Sequence, residues 1–477
     1  MTIYAYGKEA RFVSLKSMFS AKDMTLGSPW KRIMEFSIPL LLGNLAQQLY
    51  HTADSIIVGM YVGDNALAAV GSASPILNLL LALFVGIATG AGIVVSQSFG
   101  ARDREGLSNA IGNCILLSVV ATVFIMAVGP LVTMPMLTML GTPESIIDWC
   151  AQYLNIYYMG IAGFFFYNMF ACVLRALGDS VSALGFLLLA AALNVVLDLW
   201  FVQEMGVAGV SLATVLAQGI SAVFCYIKLA RMKDLFDLDR KSLRPRPAMA
   251  MRILRVGIPS GVTQAIMAAA SMVVLNLTNA MGETVIACNV IIMRVDGFAM
   301  MPNFSFGQAM SVYTGQNVGA QKYDRVTQGV KQGGIISLCF ATCITMVLLF
   351  CGSVLFGFFT ETEALIDLAT RMIRIMAAGY ICIAVTQVLG GVMRGAGDTV
   401  SPMWISIIST IIIRVPLAYV LAYLTRSEEF PHGKPVALFG SLMLSWVLGM
   451  IMSVAVFSTG KWKKKMYAVR PVGPELD

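Results

Sequence analysis

The sequence predicts an all-α integral membrane protein with twelve transmembrane helices in two pseudo-symmetric six-helix bundles, and three observations carry that prediction. Hydrophobic residues make up 58% of the chain and charged residues 12%, against about 25% charge in soluble domains, and the mean hydropathy is +0.78. Long apolar stretches recur along the chain; "SPILNLLLALFVGIATGAGIVV" and "IISLCFATCITMVLLFCGSVLFGF" each reach spanning length. The second half of the chain repeats motifs of the first in one register.

Lipid offers the backbone no hydrogen-bond partner, so the spans must be helices. They centre near residues 48, 82, 118, 160, 192, 217, 266, 298, 340, 378, 412 and 447. The expected organisation is an N-terminal tail at 1–30, a first lobe at 31–230, a linker at 231–250, a second lobe at 251–460 and a C-terminal tail at 461–477. Residues 1–28 are polar and basic and show no signal-peptide pattern. Most of the 33 Lys and Arg fall in the tails, the linker and alternate loops, which places both termini on the cytoplasmic side. Topology therefore accounts for the +7 net charge, and a nucleic-acid partner is not required.

The repeat is read from several motifs. "VLRALGDSVS" at Val173–Ser182 returns as "VMRGAGDTVS" at Val392–Ser401, 219 residues on. Gln97, Gly100 and Ala101 return as Gln316, Gly319 and Ala320; Gly63 and Ala68 return as Gly282 and Ala287; Pro39 meets Pro259. A period this long is a doubled half-protein rather than a solenoid. Six spans per half make the two halves parallel, an arrangement used by transporters with a cavity between two bundles. The simplest reading of Arg175–Asp179 and Arg394–Asp398 is a helix-end ion pair at i,i+4.

Catalytic and metal chemistry find little support. The nine cysteines form no CxxC and read as buried thiols, and only His51 and His432 are available as imidazoles. The informative residues are charges inside spans, which are functional by default. Asp54 lies in span 1, and Asp198 in span 5 with Asn194 one turn away. Asp54 is nine residues before Gly63 and Asp198 eight before Gly206, so both sit roughly 12 Å below the same end of the bundle. Two carboxylates and a carboxamide converging in low dielectric can hold a proton or a Na⁺ and titrate as a unit. The equivalent second-half positions are Ile413 and Leu417, so this site belongs to the first lobe alone. Arg294, Asp296 and Arg414 are the buried charges of the second half. Asp296 and Arg414 reach similar depths and are expected to pair.

From about residue 30 to 460 the chain resembles the multidrug and toxin extrusion (MATE) family. The paired GQxxGA-like and RxxGD stretches, Pro39 fifteen residues before Asp54, and the N-x-x-x-D of span 5 carry the resemblance. It implies a MATE-like fold of two six-helix lobes forming a V, and export of organic cations in exchange for H⁺ or Na⁺. It also assigns a cation-coupling site to Asp54, Asn194 and Asp198, with the Thr214 hydroxyl nearby, and a bend in span 1 to Pro39. These matches point to the DinF-type branch. NorM-type members carry acids where this chain has Met267 and Ile383.

The 31 Met include a group in spans 7 and 8, and flexible thioethers suit a promiscuous cavity. Met267, Met300, Met301 and Arg294 are the candidate cavity residues. The expected protein is thus a monomeric, cofactor-free antiporter of the bacterial inner membrane. Its partners are small organic cations and the lipid bilayer, its coupling ion is H⁺ or Na⁺, and it is not an enzyme. The alternatives are a flippase of lipid-linked saccharides, whose anionic cargo calls for basic cavity residues, and a non-transporting membrane receptor.

Overall fold

The computed structural model describes residues 21–428 and 430–468, so parts of both predicted tails lie outside the described residues. Every regular element among them is helical. The first lobe comprises α1 (Pro29–Tyr61), α2 (Asp64–Gly100), α3 (Arg104–Met139), α4 in two parts (Glu144–Met159 and Ile161–Ala176), α5 (Ser180–Met205) and α6 (Val207–Ala230). The second comprises α7 (Pro247–Ala280), α8 (Glu283–Gly319), α9 (Tyr323–Gly357), α10 (Glu363–Gly395), α11 (Val400–Leu424) and α12 (Val436–Ser458). A short α13 (Lys461–Ala468) follows.

Ten of these helices are long and apolar enough to cross a membrane, and the two parts of α4 together make an eleventh. The remaining span, α1, has 33 residues and ample length but carries Asn44, Gln47, Gln48, His51 and Asp54. Most of these polar side chains line a cavity, so that face of the helix need not meet lipid.

Two spans depart from the expected continuous helix. α4 bends by 55° at Gly160, where a Cβ would overlap the side chain of Val215 on α6. α11 is π-helical over Ile407–Arg414. Pro416 has no N–H to donate to the carbonyl one turn back, and a widened turn just before it absorbs the fault.

Each lobe has its own core, around Phe84, Tyr158 and Phe165 in the first and Ile292, Ile373 and Tyr380 in the second. A third core, with Met24, Ile33, Phe306, Met310, Tyr313 and Trp462, joins the lobes at the end bearing the basic loops. The lobes exchange their leading helices: α7 packs along α2, and α1 along α8. On the α2–α7 seam, backbones touch through Gly86 and Gly90 against Gly257 and Gly261. The repeat-equivalents of Gly86 and Gly90 are Ser305 and Ala309, and there Asn44 Nδ2 donates to Ser305 Oγ at 3.0 Å.

The repeated motifs meet across the pseudo-twofold axis at the basic end. Ser96 and Gly315 are repeat-equivalents, and a Cβ on Gly315 would strike the Ser96 hydroxyl, so the axis passes between them. Gln97 Nε2 donates to the Gly395 carbonyl at 3.0 Å. Gln316 Nε2 donates to the Ala176 carbonyl, also at 3.0 Å. Each lobe's GQxxGA motif therefore grips the other lobe's RxxGD turn.

The expected Arg–Asp pairs within those turns do not form. Asp179 accepts from Ser182 N at 2.9 Å and Ser182 Oγ at 2.7 Å, and faces Lys228 at 3.6 Å. Asp398 accepts from Ser401 Oγ at 2.6 Å and pairs with Lys465 at 2.7 Å. Both aspartates cap the helix that follows them, which aims them away from the arginine one turn before.

The segments around the lobes are also docked. Met24 is buried at the seam, its N–H donating to Gln316 Oε1 at 2.9 Å while its carbonyl accepts from Asn317 and Arg325. The linker buries Phe236 and is held on α3 by Arg104, which donates to both oxygens of Asp237 at 2.9 and 2.8 Å.

Candidate functional site

A cavity of about 930 Å³ lies between the lobes, walled mainly by the first. The Gln97 and Gln316 contacts close it at the basic end. Among the described residues, the hydrogen bonds joining the lobes all lie in that half of the molecule. The cavity wall runs from Arg175 and Arg394 at the closed end to Asp54 and Ser55 near the opposite one.

Helix geometry sets the acidic site. α1 packs along α5, bringing Asp54 to Asp198 although 144 residues separate them. The two carboxyl groups interact directly, and the Asn194 amide faces Asp198 from one turn away. Asn194 and Asp198 are fully buried. Asn194 Nδ2 donates to Thr214 Oγ1 at 3.3 Å, and the Thr214 hydroxyl donates to the Val210 carbonyl at 3.0 Å. All four residues of the expected coupling site are thus gathered on α1, α5 and α6.

Its character is acceptor-rich. Asp54 Oδ1, both Asp198 oxygens, Asn194 Oδ1 and Gln218 Oε1 are buried without a hydrogen-bond donor. Unmet acceptors of this kind are costly in low dielectric, and a proton or an oxygen-ligated cation would satisfy them. Two ionised carboxylates cannot donate to each other; a hydrogen between them requires one to be protonated.

Aromatic residues complete the site, and the sequence reading missed them. Tyr50 donates to Thr214 Oγ1 at 3.5 Å, and Tyr153 and Tyr157 lie within electrostatic reach of Asp54. Tyr50 precedes Asp54 by four residues and so shares its helix face, a spacing visible in "LYHTAD". Tyr153 and Tyr157 have the same mutual spacing, but only the packing of α4 against α6 shows which face they turn.

The second lobe differs from expectation. Tyr380 donates to Asp296 Oδ1 at 2.9 Å. Asp296 and Arg414 feel each other's charge, yet no ion pair joins them within 4.0 Å, and Arg414 Nε is buried without an acceptor. α8 packs closely on α10, so the Tyr380 hydroxyl occupies Asp296, while Arg414 ends the π-helical segment. Of the candidate cavity residues, only Met267 lines the wall. Met300 and Met301 are buried inside the second lobe, and Arg294 is exposed and off the cavity wall; the bulk that puts Met in a cavity equally fills a lobe interior. Pro39 lies inside an uninterrupted α1 and on the cavity wall.

The MatE family model matches residues 39–200 and again residues 259–420, once in each lobe. The chain is a member of the MATE family. Relatives named as multidrug resistance or export proteins cover most of its length. It is 27% identical over 450 residues to "Probable multidrug resistance protein YoeA" of Bacillus subtilis (strain 168), covering 92% of this chain and 95% of that one. It is 24% identical over 405 residues to "Multidrug export protein MepA" of Staphylococcus aureus (strain NCTC 8325 / PS 47), covering 82% and 87%. The fold matches that of an outward-facing multidrug resistance MATE family transporter of the MOP superfamily, with a TM-score of 0.84 at 22% identity over 94% of this chain and 98% of the other. A MOP superfamily transporter from Pyrococcus furiosus, described by the reverse polarity of its binding pocket, matches with the same score, identity and coverage. The protein is thus a multi-pass membrane protein of a transporter family.

Proposed function

We propose that this MATE protein is a secondary active antiporter of the bacterial plasma membrane, exporting cationic or amphipathic organic compounds against an inward flow of H⁺ or Na⁺. The basic end is the cytoplasmic one by the distribution of Lys and Arg, so the cavity faces outward. The observation that carries the proposal is the group of donorless oxygens on Asp54, Asn194, Asp198 and Gln218 beside that cavity. The ion enters from outside and binds at Asp54 and Asp198, oriented by Asn194 and Thr214; neutralising the carboxyls favours release of a cationic cargo. Closure of the outer end and separation of the Gln97 and Gln316 contacts then expose the site to the cytoplasm, where loss of the ion restores cargo affinity. Pro39, on the cavity wall of α1, is where that helix bends during the exchange.

The stoichiometry sets the energy available. Exchange of one monovalent ion for one monovalent cargo is electroneutral, and a tenfold ion gradient supplies about 1.4 kcal/mol. Two ions per cargo would add roughly 2.3 kcal/mol per 100 mV. Proteoliposomes loaded with a cationic dye, under separately imposed pH and Na⁺ gradients, test the proposal. Efflux driven by one gradient is expected, and flux indifferent to both sinks antiport. The flippase reading draws on a different observation, the two arginines on the cavity wall. Gradient-independent flipping of a lipid-linked pyrophosphate saccharide in the same vesicles would favour it.

A further inference from the structure

Arg175 and Arg394 are repeat-equivalents in the last turns of α4 and α10, and both line the closed end of the cavity. The acids of their own motifs are engaged elsewhere, Asp179 with Ser182 and Lys228, Asp398 with Ser401 and Lys465. Among the described residues neither arginine has an ion-pair partner within 4.0 Å. Arg175 lies within electrostatic reach of Cys172, Tyr167 and Cys225, and among the described residues neither guanidinium donates a hydrogen bond to a protein acceptor. A guanidinium presents five donors in a rigid fork, and two such forks facing the cavity are available to a ligand that brings its own acceptors.

The rest of the wall sharpens this polarity. Asp54 is the only carboxylate on the cavity wall among the described residues, and it lies near the opposite end. Around the arginines the wall supplies neutral polar groups, Ser96, Ser180, Ser311 and Asn168. Each arginine also directly precedes the carbonyl that the other lobe's glutamine grips, Ala176 and Gly395. A ligand held by both arginines would therefore bridge the two turns that seal the basic end.

We propose that Arg175 and Arg394 form an oxyanion-binding subsite at the closed end of the cavity. Cargo bearing a carboxylate or phosphate docks there through charge-assisted guanidinium bonds, while the acids of the first lobe serve the coupling ion. This rests on the antiporter reading and narrows its cargo to amphipathic molecules with an anionic group.

The test uses the full chain in phosphatidylcholine nanodiscs and two dyes on one ring system. Rhodamine B carries a free carboxylate; its ethyl ester is a plain cation. Fluorescence polarisation should show Arg175→Gln and Arg394→Gln each weakening rhodamine B by roughly tenfold or more, with the ester changed less than about twofold. Lysophosphatidic acid, added as competitor, distinguishes a phosphate headgroup: displacement of rhodamine B that is lost in the glutamine variants extends the subsite to phosphate. Without such displacement the subsite is for carboxylates. If a glutamine variant does not purify, Arg394→Lys, which keeps the charge but loses the fork, should still weaken rhodamine B and spare the ester. Equal weakening of both dyes, or of neither, overturns the subsite and leaves the antiporter reading standing. Binding of neither dye by the unaltered protein overturns that reading, and the subsite with it.

Discussion

Gly100→Ala should tip the conformational balance of this transporter without touching either ligand site. At the basic end α2 and α8 cross so closely that a Cβ on Gly100 would overlap the Gln316 carbonyl oxygen and lie 2.6 Å from its carbon. Carbon atoms pack best near 3.5–4.0 Å, so the two backbones must part by about 1 Å. The obstacle is backbone rather than a flexible side chain, and the Gln97 and Gln316 hydrogen bonds lie beside it. Overpacking of this kind costs ~1–3 kcal/mol. The clash exists only while the basic end is closed, whereas the helix-propensity gain from Ala, about 1 kcal/mol, acts in both conformations. The closed-to-open ratio at that end should therefore fall roughly 5- to 150-fold. The assay is alkylation of Thr89→Cys, a cavity-wall position, in a cysteine-free background with impermeant reagent applied to each side of oriented vesicles. Gly100→Ala should admit reagent from the basic side and reduce it from the other. Gly185→Ala, where a Cβ would meet nothing within 4 Å, should behave as the unaltered protein. Identical labelling of the two variants would refute the reasoning, because the glycine crossing would then not set the closed state.

Asp54→Asn and Asp198→Asn should each abolish gradient-driven dye efflux in a folded, membrane-inserted protein, and Asn194→Ala should weaken it less; full export by the double aspartate variant would return both acids to structural duty. In the second lobe, a double-mutant cycle on thermal stability should give Asp296 a larger coupling with Tyr380, on the order of 1–3 kcal/mol, than with Arg414. Gly160→Ala should destabilise the first lobe by ~1–3 kcal/mol, and adding Val215→Ala should recover most of the loss; no recovery would place the cause elsewhere. Hydrogen bonds from Arg104 hold the Asp237 carboxyl below its ordinary range. The linker's docking on α3 should therefore be tightest above the ordinary carboxylate value of about 3.9 and weaken modestly as pH falls through the lowered value of Asp237, read as faster proteolysis between residues 231 and 246.

Periodicity and composition settle what depends only on the solvent. Lipid leaves helices as the form open to apolar stretches of spanning length, so the helical class, the doubled architecture and the placement of nearly every span are legible in the sequence. The acids of the first lobe are legible for the same reason: Asp54 and Asp198 stand out where charge is expensive, and rise per residue alone puts them at one height. Contacts are different, since they depend on which face each helix turns to a neighbour. The i,i+4 spacing of Arg175 and Asp179 permits an ion pair, but helix capping by Asp179 and a lysine 49 residues on decide otherwise. Asp296 and Arg414 share a depth, yet the packing of α8 on α10 gives Asp296 the Tyr380 hydroxyl instead. Met267 faces the cavity while Met300 and Met301 fill a lobe interior, a division that one apolar side chain cannot announce. The repeated motifs themselves were plain as letters. Only tertiary structure, by crossing α2 and α8 on the pseudo-twofold axis, turned those letters into a reciprocal grip, because a hydrogen bond from Gln97 to Gly395 spans 298 residues of chain and no local rule reaches that far.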